Sequence, residues 1–140
     1  MSEENKAIAR RFLEEGFNTG DLTVADEIID PSFSYHDPGT PPLPSGPEGF
    51  NQLLSLYHGA FPDIHVTIED LIAEGDKVVV RWTGGGTNTG EMMGMPPTGK
   101  AFKVTGVNTF RISGGKVVDA WVNFDTLGMM QQLGIVPTPG

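Results

Sequence analysis

The sequence lacks cysteine, has few basic residues and contains no long hydrophobic run. Without cysteine, disulfides, thiol nucleophiles and thiolate metal sites are excluded. Nine basic against eighteen acidic residues give a formal net charge of -9, so the chain should repel a phosphate backbone and nucleic acid is not an expected partner. No apolar stretch approaches the roughly 20 residues that span a bilayer, and the N-terminus lacks a secretory-signal pattern. We therefore expect a soluble, cytoplasmic protein with no membrane partner.

Metal and nucleotide motifs are also missing. The three histidines show neither HxH nor HExxH spacing, so no metal is expected. The run "GGGTNTG" resembles a phosphate-binding loop in composition only, because neither a helix nor a P-loop lysine follows it. The sequence thus predicts no cofactor. Its length and its 38% hydrophobic content predict one globular domain over residues 1–140.

The first half of the chain has helical periodicity. After a cap at Ser2, "EENKAIARRFLEEGF" places Ile8, Phe12 and Phe17 on one face of an amphipathic helix. "DLTVADEIID" repeats this pattern in a shorter form and ends at Pro31. These two segments predict two consecutive helices.

A short strand and a third helix follow. "SFSYHD" alternates aromatic and polar residues as a strand does, and ends at a proline-rich loop. Ser45 and Glu48 form a capping-box pattern with Pro47 in the first turn. The predicted helix places six apolar residues on one face, namely Phe50, Leu53, Leu54, Tyr57, Ala60 and Phe61.

The second half changes to the alternating period of strands. "IHVTIEDLIAEGDKVVVRWT" reads as a long hairpin with a turn at Gly75 and Asp76, and the glycines 84–86 predict a bend or bulge that interrupts its second strand. "KAFKVTGVNTFRI" and "KVVDAWVNFD" predict two more antiparallel strands before a closing helix, "TLGMMQQLG". The order indicates an α+β fold with helices on one face of a curved sheet, and no doubly wound nucleotide fold.

The last strand has one apolar and one polar set of alternating residues. Trp121, Asn123 and Asp125 share a face with Asp119, opposite the set Val118, Ala120, Val122 and Phe124. The polar set is either the solvated side of the sheet or the wall of a mainly apolar pocket with a few placed polar groups. Asp125 itself is either an N-terminal cap of the closing helix or a buried carboxylate of raised pKa that moves protons.

Other polar residues stand in apolar surroundings. Arg81 lies between Val80 and Trp82, where it either faces solvent or pairs with a carboxylate or ligand oxygen, and Asn108 is placed similarly. His36 and Asp37 end the short strand where we expect a pocket mouth. The loop methionines cover either an apolar ligand or a gap between subunits, and they are Met92, Met93 and Met95.

The segments "YHDP", "GPEGF", "AFPDIHVTIEDLIAEGDKVVVRWT", "GTNTGEMMGMPPTGK" and "WVNFDTLGMMQQLG" together resemble the SnoaL-like polyketide cyclase family of the nuclear-transport-factor-2-like superfamily. The resemblance runs from the first helix to Gly134. It implies a cone-shaped α+β barrel, in which a strongly curved antiparallel sheet wraps around the N-terminal helices and a short C-terminal helix follows. It also implies a deep pocket for an apolar small molecule and a homodimer formed through the sheet.

The resemblance further implies an intramolecular aldol ring closure without metal or cofactor, with Asp125 as acid and base. The pocket residues predicted on this basis are His36, Phe61, Arg81, Asn88, Asn108, Trp121 and Asn123. Members of the family often carry histidine at the position of Asn88, and asparagine cannot titrate.

Four other functions remain open at this stage. The first is a non-catalytic small-molecule-binding domain of the same fold. The second is a dimeric interaction protein whose contact surface contains Val118, Val122 and Phe124. More distantly, the superfamily suggests an epoxide hydrolase, although "RWT" and "RIS" lack its Arg-x-Asp spacing, or a ketosteroid-isomerase-like enzyme.

Overall fold

A computed structural model of the chain describes residues 2–38, 40–92 and 94–137. The side chain of Ser2, predicted as a cap, and Met93 lie outside the described part. The helices are α1 (Ser2–Arg11) with a π-helical continuation (Phe12–Asn18), α2 (Val24–Ile28), α3 (Pro47–Ala60) and α4 (Thr126–Gln132). The strands are β1 (Ile29–His36), β2 (His65–Glu74), β3 (Lys77–Thr87), β4 (Ala101–Ser113) and β5 (Lys116–Phe124).

The five strands form one curved, open sheet in the order β1-β5-β4-β3-β2. Strands β2 to β5 pair antiparallel as predicted, whereas β1 pairs parallel to β5. The helices pack on the inner face of the sheet, so the predicted α+β architecture is confirmed. None of the described helices combines the length and apolar character that crossing a membrane requires.

Phe12 joins the helices to the sheet at the centre of the core. Its ring centroid lies 4.7 Å from that of Phe50 in α3, 4.8 Å from Phe110 in β4 and 6.2 Å from Phe33 in β1. All four rings are almost fully buried. Burying an aromatic side chain contributes about 1.5–3 kcal/mol, so this cluster is a main source of stability.

The predicted capping box of α3 is not formed. The N-cap residue is Gly46, and no side chain accepts a hydrogen bond at this helix start. Gly46 has a φ of 77°, and its N–H donates to the carbonyl of Phe33, 3.0 Å away. A Cβ there would lie 2.8 Å from the carbonyl oxygen of Pro31. Glycine is therefore required, because the chain turns sharply against β1 before the helix begins.

The glycine run was predicted to interrupt β3, but the strand continues through it. Gly84, Gly85 and Gly86 pair continuously with Val104, Lys103 and Phe102 of β4. A Cβ on Gly85 would lie 2.2 Å from the carbonyl oxygen of Phe102. The glycines thus allow close backbone approach within a continuous strand.

A bulge in β5 changes which of its residues face inward. Arg111 pairs with Asp119 but Ile112 pairs with Val117, so Val118 is an extra residue. Val117 is buried on one side of this bulge and Ala120 on the other, and Val122 continues the inner set. The prediction that Val118 shares a face with Ala120 and Val122 was wrong for this reason.

Candidate active site

A cavity that is partly open to solvent lies between the inner face of the sheet and the helices. Its wall comes from the π-helical segment, from α3 and α4, and from all five strands. Most of the lining is apolar, namely Leu13, Phe17, Ile64, Val66, Phe102, Val104, Val122, Phe124 and Met129, with Gly84 and Gly85. An apolar concave site with a few polar groups is typical of small-molecule binding.

One polar pair in this wall is formed by Trp82 and Asn108. The indole Nε1–H of Trp82 donates to Oδ1 of Asn108 at 2.8 Å, and both side chains are buried. An indole nitrogen can only donate, so this contact fixes the orientation of the amide. The Nδ2 group of Asn108 is therefore left as a donor for a ligand oxygen. Asn108, which was predicted in the pocket, is among the residues that line this cavity.

Two tyrosines supply the other polar groups of the cavity. Tyr35 of β1 and Tyr57 of α3 both line it. The hydroxyl of Tyr35 donates to Oδ2 of Asp37 at 3.3 Å, and the hydroxyl of Thr40 donates to the same oxygen at 2.7 Å. Burial, together with the nearby Tyr57 and Asp37, raises the pKa of Tyr35 well above its usual value. Burial also raises the pKa of Tyr57 to about 12, against the opposing effect of Thr40. Both tyrosines thus carry their protons at neutral pH.

Asp125 caps α4. Its Oδ1 accepts a hydrogen bond from the backbone N–H of Gly128 at 2.8 Å, and the residue is exposed. A Cβ on Gly128 would lie 2.1 Å from Oδ2 of Asp125, so glycine makes room for the carboxylate over the helix start. Asp125 is not among the residues that line the cavity. Its predicted acid and base role stays a prediction, which the capping contact does not support.

His36, Trp121 and Asn123 lie on the outer face of the sheet, so their predicted place in the pocket was wrong. The His36 and Trp121 rings stack at 5.3 Å, and Nε2 of His36 lies 3.1 Å from Oδ1 of Asp119. Arg111 binds Oδ2 of the same carboxylate. Burial alone would raise the pKa of Asp119, but the contacts with His36 and Arg111 outweigh it and lower that pKa.

Arg81 and Phe61 do not reach the cavity either. Arg81 is on the outer face, where it pairs with Asp70 through Nε and Oδ2 at 2.7 Å. Phe61 is fully buried with its ring against Phe102, and it lines a smaller cavity between α3 and α4 that also includes Met92. Their predicted place in the main pocket was wrong because one side chain faces outward and the other packs in the core.

Asn88 is buried but serves the loop that follows β3. Its Nδ2 donates to the carbonyls of Gly90, at 2.9 Å, and Ala60, at 3.3 Å, while its Oδ1 accepts from the N–H of Thr98 at 2.9 Å. These bonds attach the loop to the end of α3. Its placement in the pocket was wrong, since its hydrogen bonds go to backbone and it does not line the cavity.

Sequence reasoning missed Tyr35, Tyr57 and Trp82 as polar groups of the pocket. The alternation of "SFSYHD" puts Tyr35 with the buried Phe33 and opposite His36, which was the available signal. Asn108 carries a similar signal, because it interrupts the inward series that includes Val104 and Phe110. No cluster of three or more His, Asp or Glu side chains that could hold a metal occurs among the described residues.

Comparison with known proteins identifies the family. The profile of the SnoaL-like polyketide cyclases matches residues 7–133. The nogalonic acid methyl ester cyclase of Streptomyces nogalater is 33% identical over 124 residues, which cover 84% of this chain and 89% of that enzyme. The aklanonic acid methyl ester cyclase DnrD of Streptomyces peucetius is 31% identical over 137 residues, which cover 94% and 92%. The structure of TsrD from Streptomyces laurentii superposes with a TM-score of 0.84 at 29% identity, over 96% of this chain and 97% of that one. The chain therefore belongs to the SnoaL-like polyketide cyclase family.

Proposed function

We propose that this protein is a cofactor-independent, cyclase-type enzyme that closes a ring in an apolar, carbonyl-bearing molecule of the polyketide class. The observation that carries this proposal is the apolar cavity with an oriented amide in its wall. An aldol ring closure needs removal of a proton next to a carbonyl and stabilisation of the enolate. Asn108 supplies an N–H donor for the enolate oxygen, and most of the remaining cavity lining is apolar.

Turnover of the relatives' substrates tests the proposal. We expect the purified protein, with a chelator present, to convert nogalonic or aklanonic acid methyl ester into an isomer of unchanged mass, which chromatography and NMR detect. Asn108→Leu should lower kcat by about 100-fold, the usual cost of losing one oxyanion donor. Arg81→Gln, on the outer face, is the matched control and should keep full turnover. Absence of product with both esters, despite their binding, would reject the cyclase function.

The acid and base role of Asp125 has a separate test. Asparagine caps helices as well as aspartate does but cannot take up a proton. Because the carboxylate is exposed and bonded to Gly128, we propose a structural role and expect Asp125→Asn to keep full turnover. A loss of about 100-fold or more in kcat would instead support the proton-transfer role.

A binding protein without catalysis is the second candidate. It is favoured because no Asp, Glu or His is among the described residues that line the cavity. In that case the esters should bind, with quenching of Trp82 fluorescence, and should be recovered unchanged. The two candidates thus differ in product formation alone.

We also propose that two copies pair through the outer face of the sheet. Three of the large hydrophobic residues that the described chain leaves exposed lie there, namely Ile72, Val107 and Trp121. The contact surface that the sequence suggested, with Val122 and Phe124, was wrong because both residues line the cavity.

A further inference from the structure

We propose that Tyr35 is the residue that takes the proton from the bound molecule, with Asp37 behind it as the positioning carboxylate that receives the tyrosine's own proton. This inference rests on the proposed cyclase function and deepens it. It is needed because no carboxylate is among the described residues that line the cavity, while Tyr35 lines it and donates to Oδ2 of Asp37.

The end of β1 builds this pair. Phe33 and Tyr35 point inward from alternate positions, and Asp37 follows with the same parity just beyond the strand. Thr40 returns from the loop to donate to the same Oδ2 atom at 2.7 Å. Two hydroxyl donors on one oxygen hold the carboxylate in place.

The proton balance of the step is closed. The C–H bond next to the carbonyl breaks and its electron pair enters the enolate. The proton binds the Tyr35 hydroxyl oxygen while the tyrosine's own proton moves to Oδ2 of Asp37. The negative charge thereby passes from Asp37 to the enolate oxygen, where Asn108 can donate. After the new C–C bond forms, the reverse transfer protonates the alkoxide, so no oxidant, reductant or net acid is required.

The surroundings keep both tyrosines of the site protonated at neutral pH. Burial raises the pKa of Tyr35 and Tyr57, so neither forms a free phenolate there. Both tyrosines, from β1 and α3, interact electrostatically with Asp37. His36 is adjacent in sequence but faces outward, against Asp119.

Hydrogen exchange tests the proton step without requiring ring closure. We would incubate the protein with 2-tetralone, an apolar bicyclic ketone, in D2O and follow loss of the α-proton NMR signals. The wild type should accelerate exchange. Tyr35→Phe and Asp37→Asn should each lower the rate by about 100-fold or more. The double variant should lose no more than either single one, because the two groups act as a unit.

Three controls separate this role from a structural one. Asp37→Glu should restore part of the rate that Asp37→Asn loses. Asp70→Asn, on the outer face, should leave the rate unchanged. If Tyr35→Phe does not fold, Asp37→Asn and Thr40→Val provide the same comparison.

Failure of this inference and failure of the cyclase function are distinguishable. No acceleration by the wild type, or rates within about threefold of it in both Tyr35→Phe and Asp37→Asn, would overturn the relay. Ring closure that survives Tyr35→Phe would also overturn it, while leaving the cyclase function standing. Exchange lost in both variants, with no ring closure of the esters, would support the relay and reject the cyclase function.

Discussion

At the scale of single residues, Asp125 shows how one carboxylate can serve a helix without facing a cavity. Its hydrogen bond to Gly128 satisfies one of the free N–H groups at the start of α4. Residues that precede and follow it, Phe124 and Met129, do line the cavity. Asp125 therefore lies beside the cavity, but its side chain binds the start of α4 and does not line the cavity.

This geometry predicts a stability difference between two variants. Asp125→Ala should lower the free energy of unfolding by about 1 kcal/mol, because the cap is lost. Asp125→Asn should retain most of the stability, since its amide oxygen accepts the same bond. Urea denaturation of the three proteins measures both values. Equal losses in the two variants would show that the charge stabilises α4 and that the hydrogen bond does not.

At the scale of elements, the close approach of β3 and β4 depends on glycine. Gly85→Ala should lower the free energy of unfolding by about 1–3 kcal/mol or more, because its Cβ would collide with the Phe102 carbonyl. Gly59→Ala in α3 is the matched control, since nothing lies within 4 Å of a Cβ there. It should raise stability by up to about 1 kcal/mol through helix propensity. Similar effects at both positions would contradict this account of the strand.

The elements also show what sequence could and could not reveal. Periods of 3.6 and 2 located the helices and strands, because burial of one face imposes them directly. The residues of β5 that face inward could not be predicted from the period in the same way. The Val118 bulge shifts the alternation, and Trp121 suggested a cavity although it lies on the outer face. The sequence draws attention to Asn108 because an amide among inward residues is unusual, whereas the link between Tyr35 and Asp37 depends on how the chain turns after β1.

At the scale of the whole molecule, the two faces of the sheet have different tasks. The inner face forms the core and the cavity. The outer face carries exposed apolar side chains and two ion pairs, Arg81 with Asp70 and Arg111 with Asp119. Exposed Trp121 is costly in a monomer, which is the physical reason to expect a partner on this face.

Sedimentation velocity tests this arrangement. We expect the wild type to sediment as a dimer at micromolar concentration, because pairing would remove Ile72, Val107 and Trp121 from water. Val107→Glu and Trp121→Glu should each shift the protein to a monomer with an unchanged circular dichroism spectrum, since both side chains are exposed in the single chain. Leu22→Glu is the matched control: Leu22 is more exposed than either residue but precedes α2 in the helical part of the chain. It should leave the dimer intact. A wild-type monomer would contradict the dimer. Dissociation by Leu22→Glu alone would place the contact surface elsewhere.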